Sequence, residues 1–289
     1  MSTYYALDAQ LSVTNPRAYA DGLAQLYQRH VAEKMSRFQA ILAATGYREM
    51  VIGSGAKKMQ FQDDMAYAFK ANPYFREWLP LTTRADCYVQ IDAMASKPRL
   101  FLLAVEDIWH TAPERLPAGF EQAFEIVEYQ TIDQVAQQLA TGNSALINQT
   151  NELSAPAEHH NPQAVIDQID YQRLGKTHYE QACVREANCR AVPAHRAAQQ
   201  AFLAGASEVQ IAAAYLAACD CRESEMPYGM IVGVNEHAAV LHHHKLFKQP
   251  QTPRSFLIDA GVEFNGYASD ITRTYSYDAG GDFAAMIKR

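Results

Sequence analysis

Apolar residues recur at helical spacing near the start of the chain: Leu23, Leu26, Tyr27, Val31, Met35, Phe38, Ile41 and Leu42 share one face. Asn15-Pro16 offers an N-cap followed by a first-turn proline, and Gly46 can close the helix. Residues 1–15 carry no period and read as a loose extension. Strand-like runs follow at 49–52, 87–93, 100–105, 124–129 and 145–148, with a helical stretch at 133–139 between the last two. That alternation predicts a mixed α/β domain over 1–160. The polar, turn-rich segment 154–162, with Pro156, His159, His160 and Pro162, suits the approach to a boundary. The pattern then changes. Residues 165–174 and 177–203 read as helices, the second long, amphipathic and expected to kink at Pro193. A third, 207–218, is capped by Ser207 with Gln210 three residues later. Strands begin at Met230, so 161–289 reads as an α+β domain with helices packed behind a curved antiparallel sheet. Residues 284–289 open an amphipathic helix without a C-cap.

The segment 255–275, SFLIDAGVEFNGYASDITRTY, carries candidate chemistry. Asn265-Gly266 between alternating apolar runs predicts a type I′ hairpin, because both central residues need positive φ. Phe264 then pairs with Tyr267, Gly261 stands opposite Asp270, and Asp259 falls diagonal to Asp270 on the same face. Diagonal neighbours lie about 7–8 Å apart at Cα, within reach of two inward-leaning carboxylates. A slip of one residue would separate the pair onto opposite faces. Two convergent carboxylates repel unless they share a proton or hold a cation. From spacing alone, a surface hairpin with two solvated aspartates is the simpler reading. Its strands count the other way: Phe256-Leu257-Ile258 is a buried-strand run, 271–275 is β-prone, and carboxylates within strands need a reason.

Composition narrows the classes. With 48% hydrophobic and 20% charged residues the chain is that of a globular protein, and 289 residues suit about two domains. A net charge of −7 without a dense basic run argues against a nucleic-acid binder. No apolar stretch reaches the roughly 20 residues of a membrane span, and the N-terminus has no signal-peptide pattern, so the cytoplasm is expected. Cys87, Cys183, Cys189, Cys219 and Cys221 show no zinc-ribbon spacing and read as structural free thiols.

The motif DAG-x-x-x-NGY-x-x-D-ITRTY resembles the metal-binding hairpin of the pita-bread metallopeptidases, which include prolidase, aminopeptidase P and methionine aminopeptidase. PYGMIVGVNEHAAVLH at 227–242 is similar to the preceding segment of bacterial prolidases. FQDDMAYAFKANPYF at 61–75 and Val105-Glu106-Asp107-Ile108-Trp109-His110 resemble the N-terminal domain of bacterial Xaa-Pro dipeptidases, a group that includes organophosphorus acid anhydrolases. The likeness covers nearly all of 20–289. It implies an α/β N-terminal domain like those of creatinase and prolidase, then the first part of an α+β pita-bread catalytic domain.

The resemblance also implies roles. Asp259 and Asp270 match metal ligands of a dinuclear site, one chelating and one bridging; two Mn²⁺ are expected, with Zn²⁺ or Co²⁺ as substitutes. His242 matches a histidine lining the active site, where it can hydrogen-bond substrate and stabilise a tetrahedral intermediate. His243 falls where tyrosine is frequent. His242 and His244 would share one face of a strand, a run that by itself reads as a solvated strand end; His237 is left unassigned. Tyr228 and Leu241 match positions of the substrate pocket, although Tyr228 reads equally as an ordinary sheet tyrosine. Asp64 matches an N-domain carboxylate that reaches a neighbouring subunit's site, where it can bind a dipeptide's α-ammonium; alone, it reads as part of a helix N-terminus. The implied activity is hydrolysis of Xaa-Pro dipeptides by a homodimer joined through its N-terminal domain, with side activity on organophosphate triesters. Alternatives are a non-catalytic pita-bread binding protein, an aminopeptidase P-type enzyme, or a metal-independent creatinase-like hydrolase. One departure stands out. The family's remaining ligands, a histidine and two glutamates, come after Arg289, so truncation and an inactive fragment are expected.

Overall fold

The computed structural model describes residues 16–104, 112–139 and 142–287. The expectations for 1–15, for Asn15 as a cap and for the 105–110 motif lie outside the described residues. Two compact units emerge, Met1–Ala182 and Cys183–Arg289.

In the first unit, helix α1 (Pro16–Thr45) ends at Gly46, whose φ of +79° lets its N–H reach back to the Leu42 carbonyl at 2.9 Å. The sheet runs β4-β3-β2-β1-β5, with β1 (Glu49–Gly53), β2 (Cys87–Asp92), β3 (Arg99–Leu103), β4 (Glu125–Tyr129) and β5 (Ser144–Ile147). Pairing is antiparallel for β1–β2 and β2–β3 and parallel for β1–β5 and β3–β4, the mixed sheet expected from the alternation. Short α2 (Pro73–Arg76) and α3 (Ile132–Ala136) connect strands, the latter behind a Thr131/Gln134 capping box.

Helix α1 buries Tyr27, Val31, Phe38 and Leu42, and on the same face a lysine. Lys34 is 0% exposed, with Nζ 2.6 Å from Glu77 and 3.3 Å from Glu180. A buried ammonium is tolerated only when paired in this way. Beside it the neutral His30 donates Nε2–H to the Glu77 carbonyl at 2.8 Å and accepts from the Thr177 hydroxyl at 2.8 Å. Burial lowers the His30 pKa to about 4. Helix α4 (Gln163–Arg173) packs on α1, and this polar network holds the first turn of α5 (His178–Leu203). The units accordingly part at 182/183, later than the 160/161 expected from the turn-rich segment.

In the second unit, α5 runs unbroken through Pro193. Helix α6 (Glu208–Cys219) carries the Ser207/Gln210 capping box and ends on Asp220 in the left-handed region. The sheet orders β10-β7-β6, all antiparallel, with β6 (Ile231–Val234), β7 (Ser255–Ala260) and β10 (Ile271–Ser276). β8 (Glu263–Phe264) and β9 (Tyr267–Ala268) form the hairpin tip, and α7 (Asp282–Ile287) follows. Ala191, Ala194, Ala198 and Phe202 of α5 join Ile211, Ala212 and Tyr215 of α6 against Val232, Val234, Phe256 and Ile258. Small side chains bring α5 close to the sheet, and Phe202 stacks on Phe256 at 5.1 Å. One apolar face is spent on helices, which leaves the other for polar chemistry.

Candidate metal centre

Asn265 (φ 50°) and Gly266 (φ 86°) form the turn, and Phe264 pairs with Tyr267. Ala260 pairs with Ile271 and Asp259 with Thr272, so the same register runs from the tip into the sheet. Gly261 faces Asp270 in that register. A Cβ on Gly261 would lie 1.9 Å from the Ser269 carbonyl oxygen and 3.0 Å from Pro227 Cγ. Only glycine lets the strands close and Pro227 settle on them. Pro227 in turn delivers Tyr228.

The Tyr228 hydroxyl lies 2.9 Å from Oδ1 of Asp259 and 2.9 Å from Oδ1 of Asp270. Both carboxylates therefore converge on one oxygen. Asp259 Oδ2 also accepts from the Thr272 hydroxyl at 2.9 Å. A phenol carries one proton, so it satisfies one carboxylate at a time. The second close O···O approach calls for a proton on a carboxyl group or for a cation. This oxygen-rich set fits a hard or borderline divalent ion. Burial first, then the hydrogen bonds and charges of both aspartates, raises the Tyr228 pKa, so it remains a phenol. Behind β7, His195 of α5 donates Nε2–H to the Ala260 carbonyl at 3.1 Å and braces the strand beside Asp259. Burial lowers the His195 pKa and keeps the ring neutral.

The histidine run differs from its expected strand. A 3₁₀ turn (Asn235–Ala239) follows β6, and 240–254 is irregular. Gly233 dictates this, because the turn folds so tightly that a Cβ there would sit 2.8 Å from the Ala238 nitrogen. Leu241 is 87% exposed and His242 is exposed beside it, its ring 5.9 Å from that of His244. His243, in contrast, is buried with Nε2 3.0 Å from Glu208 Oε2. His237 Nδ1 lies 2.7 Å from Glu208 Oε1. Asp64 lies in the first unit, exposed in the loop between β1 and α2, and opens no helix. Thr272 was legible as the residue opposite Asp259. Glu208, in a helix first turn, carried no signal beyond an ordinary N-terminal acid. Among the described residues no cysteine forms a disulfide.

Residues 25–171 match the family described as Xaa-Pro dipeptidase, N-terminal domain, and residues 182–288 match metallopeptidase family M24. The chain belongs to the Xaa-Pro dipeptidase family of these metallopeptidases. A relative named Xaa-Pro dipeptidase from Serratia proteamaculans (strain 568) is 42% identical over 274 residues, covering 92% of this chain and 61% of its own length. One of the same name from Cronobacter sakazakii (strain ATCC BAA-894) is 43% identical over 276 residues, covering 93% of this chain and 62% of its own. The chain thus spans about three fifths of the length of these curated relatives. Among solved structures, aminopeptidase P from E. coli in its low-pH form aligns with a TM-score of 0.60 at 20% identity, over 89% of this chain and 63% of that one. Proline aminopeptidase P II from Yersinia pestis aligns with a TM-score of 0.62 at 19% identity, over 91% and 65%. These structures agree with the expected fold, an α/β N-terminal domain leading into a pita-bread domain. Membership of a metallopeptidase family implies a divalent metal cofactor, in agreement with the convergent carboxylates.

Proposed function

We propose that this chain supplies the N-terminal domain and the first two metal ligands, Asp259 and Asp270, of a dinuclear Xaa-Pro dipeptidase. The observation that carries the reading is the approach of both carboxylates to the single Tyr228 oxygen, at 2.9 Å each. Asp259 and Asp270 would together hold the ions, with Mn²⁺ the favoured occupant. When bound, the two ions polarise the scissile carbonyl and activate water, chemistry that an imide bond to proline needs because it has no N–H for positioning.

The remaining roles fall to this chain's own side chains. Tyr228 donates its O–H toward developing negative charge, and its raised pKa supports that role. His242 hydrogen-bonds the substrate and Leu241 lines the pocket; their exposure supports access to both. Asp64 binds the dipeptide's α-ammonium in a neighbouring subunit. Phe61, 88% exposed, and exposed Met65 flank it and support a homodimer joined through the N-terminal domain. Cysteines held outside disulfides support a reducing compartment, the cytoplasm. Among the described residues no helix is long and apolar enough to cross a membrane. Slow hydrolysis of organophosphate triesters is a side activity of the same centre.

Aminopeptidase P chemistry is the second reading, favoured by the structural neighbours. Expressed from its complete reading frame and loaded with Mn²⁺, the protein hydrolyses Ala-Pro. Asp259→Asn or Asp270→Asn lowers kcat/KM by more than about a hundredfold. Activity retained in either variant refutes the metal assignment, and cleavage of Ala-Pro-Ala without Ala-Pro selects the second reading.

A further inference from the structure

We propose that Glu208, His237 and His243 form a separate divalent-cation site, suited to a borderline ion such as Zn²⁺. The three come from different segments of one unit: Glu208 from the first turn of α6, His237 from the 3₁₀ turn after β6, and His243 from the irregular loop beyond it. One ligand atom from each lies within 4.8 Å of the others. His237 Nδ1 addresses Glu208 Oε1 at 2.7 Å, and His243 Nε2 addresses Oε2 at 3.0 Å. The two imidazoles stack at 4.8 Å, so both point to the carboxylate from the same side.

The environment is that of a built site. Side-chain exposures are 2% for Glu208, 8% for His243 and 18% for His237, leaving an entry edge at His237. The carboxylate is oriented by backbone N–H groups of Val234 and Phe247, each at 2.9 Å, one to each oxygen. Amides that fix a ligating carboxylate are a recurrent outer-shell device of metal centres. Burial works to raise the Glu208 pKa, yet hydrogen bonds from His243, the two amides and His237 leave it lowered, so the carboxylate is anionic. Phe247 stacks on His237 at 4.2 Å and holds the ring in place.

Two histidines and one carboxylate match a known zinc ligand class, with the fourth tetrahedral position open to water. Zinc–nitrogen and zinc–oxygen bonds of about 2.0–2.2 Å place tetrahedral donors roughly 3.3–3.5 Å apart. The two histidine–glutamate contacts need to open by about 0.3–0.8 Å, and the two ring nitrogens, within 4.8 Å of each other, need to settle at the same separation. On ligation each ring keeps an N–H on the nitrogen facing away, Nε2 of His237 and Nδ1 of His243; the nitrogen facing Glu208 gives its lone pair to the ion, and any further proton leaves to solvent. An ion here would tie the 3₁₀ turn to the loop and so hold Leu241 and His242, which lie between the two histidine ligands.

The test is zinc titration calorimetry on the 289-residue chain carrying Asp259→Asn and Asp270→Asn, which removes the hairpin carboxylates. The expected result is one Zn²⁺ per chain, with affinity at least tenfold weaker after adding His237→Gln or His243→Tyr. Tyrosine can still donate a hydrogen bond to Glu208, but a neutral phenol is a poor zinc ligand, so this variant separates metal binding from mere bonding. Co²⁺ added to the same two-aspartate variant should give the visible absorption of a four-coordinate ion. Failure of that chain to take up Zn²⁺, or unchanged affinity in folded His243→Tyr, overturns the proposal. Should both histidine variants fail to fold, a six-coordinate Co²⁺ spectrum overturns it and a four-coordinate one supports it.

Discussion

Replacing Asp270 with asparagine stabilises the metal-free chain while weakening its hold on metal. Both carboxylates contact the Tyr228 oxygen at 2.9 Å, so their Oδ1 atoms are no more than about 5.8 Å apart. At that separation two negative charges repel by about 3 kcal/mol at an effective dielectric of 20, and about 0.7 kcal/mol in bulk water. Asp270 is exposed and Asp259 half-buried, so solvent screening places the cost near the lower figure, about 1 kcal/mol. Asparagine keeps a carbonyl for the Tyr228 proton and adds an N–H that can donate to the phenol oxygen, so both close approaches become hydrogen bonds. The assay is urea unfolding in EDTA at pH 7, followed by circular dichroism. The variant gains about 1 kcal/mol at low ionic strength, and the gain shrinks in 1 M KCl, where the Debye length is about 3 Å. Saturating Mn²⁺ reduces or reverses the difference, because only the wild-type pair is stabilised by the ion. Loss of stability in Asp270→Asn under EDTA, or a gain indifferent to salt, would refute the argument that the two charges are held together against their repulsion.

Gly261→Ala costs about 1–3 kcal/mol or more, since its Cβ meets a backbone carbonyl oxygen at 1.9 Å rather than a movable side chain; urea midpoints at constant m-value check this. His30 has a folded pKa of about 4 against an ordinary value of 6.5, so its stabilising contribution is present above pH 6.5 and is lost as pH falls toward 4. Its share of the loss between pH 7.5 and 5 is about 2 kcal/mol, read as the difference between wild type and His30→Gln; parallel pH profiles would contradict it. The 289-residue chain binds Mn²⁺ weakly and does not hydrolyse Ala-Pro, because two carboxylates leave most of two coordination shells to water; two tightly held ions after dialysis, with turnover, would overturn this.

Local patterns carried much of the architecture. The 3.6-residue period of α1, the Ser207/Gln210 box of α6 and the Asn265-Gly266 turn are decided by neighbours in sequence, and each stands in the structure at its expected place. The boundary was harder to read. A polar, proline-rich stretch resembles a linker, but α4 continues to pack on α1, and the buried Lys34–Glu77–Glu180 network draws the start of α5 into the first unit. Propensity offers no hint that a lysine on an amphipathic helix will be buried. The strand anticipated around His242 and His244 failed for a similar reason. Gly233 admits a 3₁₀ turn against its own backbone, and that contact, invisible to a period-two pattern, turns the chain out of the sheet.

What the sequence alone determined was the hairpin and, through its register, the facing of Asp259 and Asp270. Strand alternation and a two-residue turn leave a single arrangement consistent with the hydrophobic face. Tertiary structure decided which groups meet those carboxylates and which do not. Tyr228 reaches both from 31 and 42 residues away because Pro227 seats on Gly261, and Glu208 collects His237 and His243 from 29 and 35 residues away. Hydrogen-bonding partners so distant along the chain are selected by packing of helices on a sheet, where distance in sequence carries no information about distance in space.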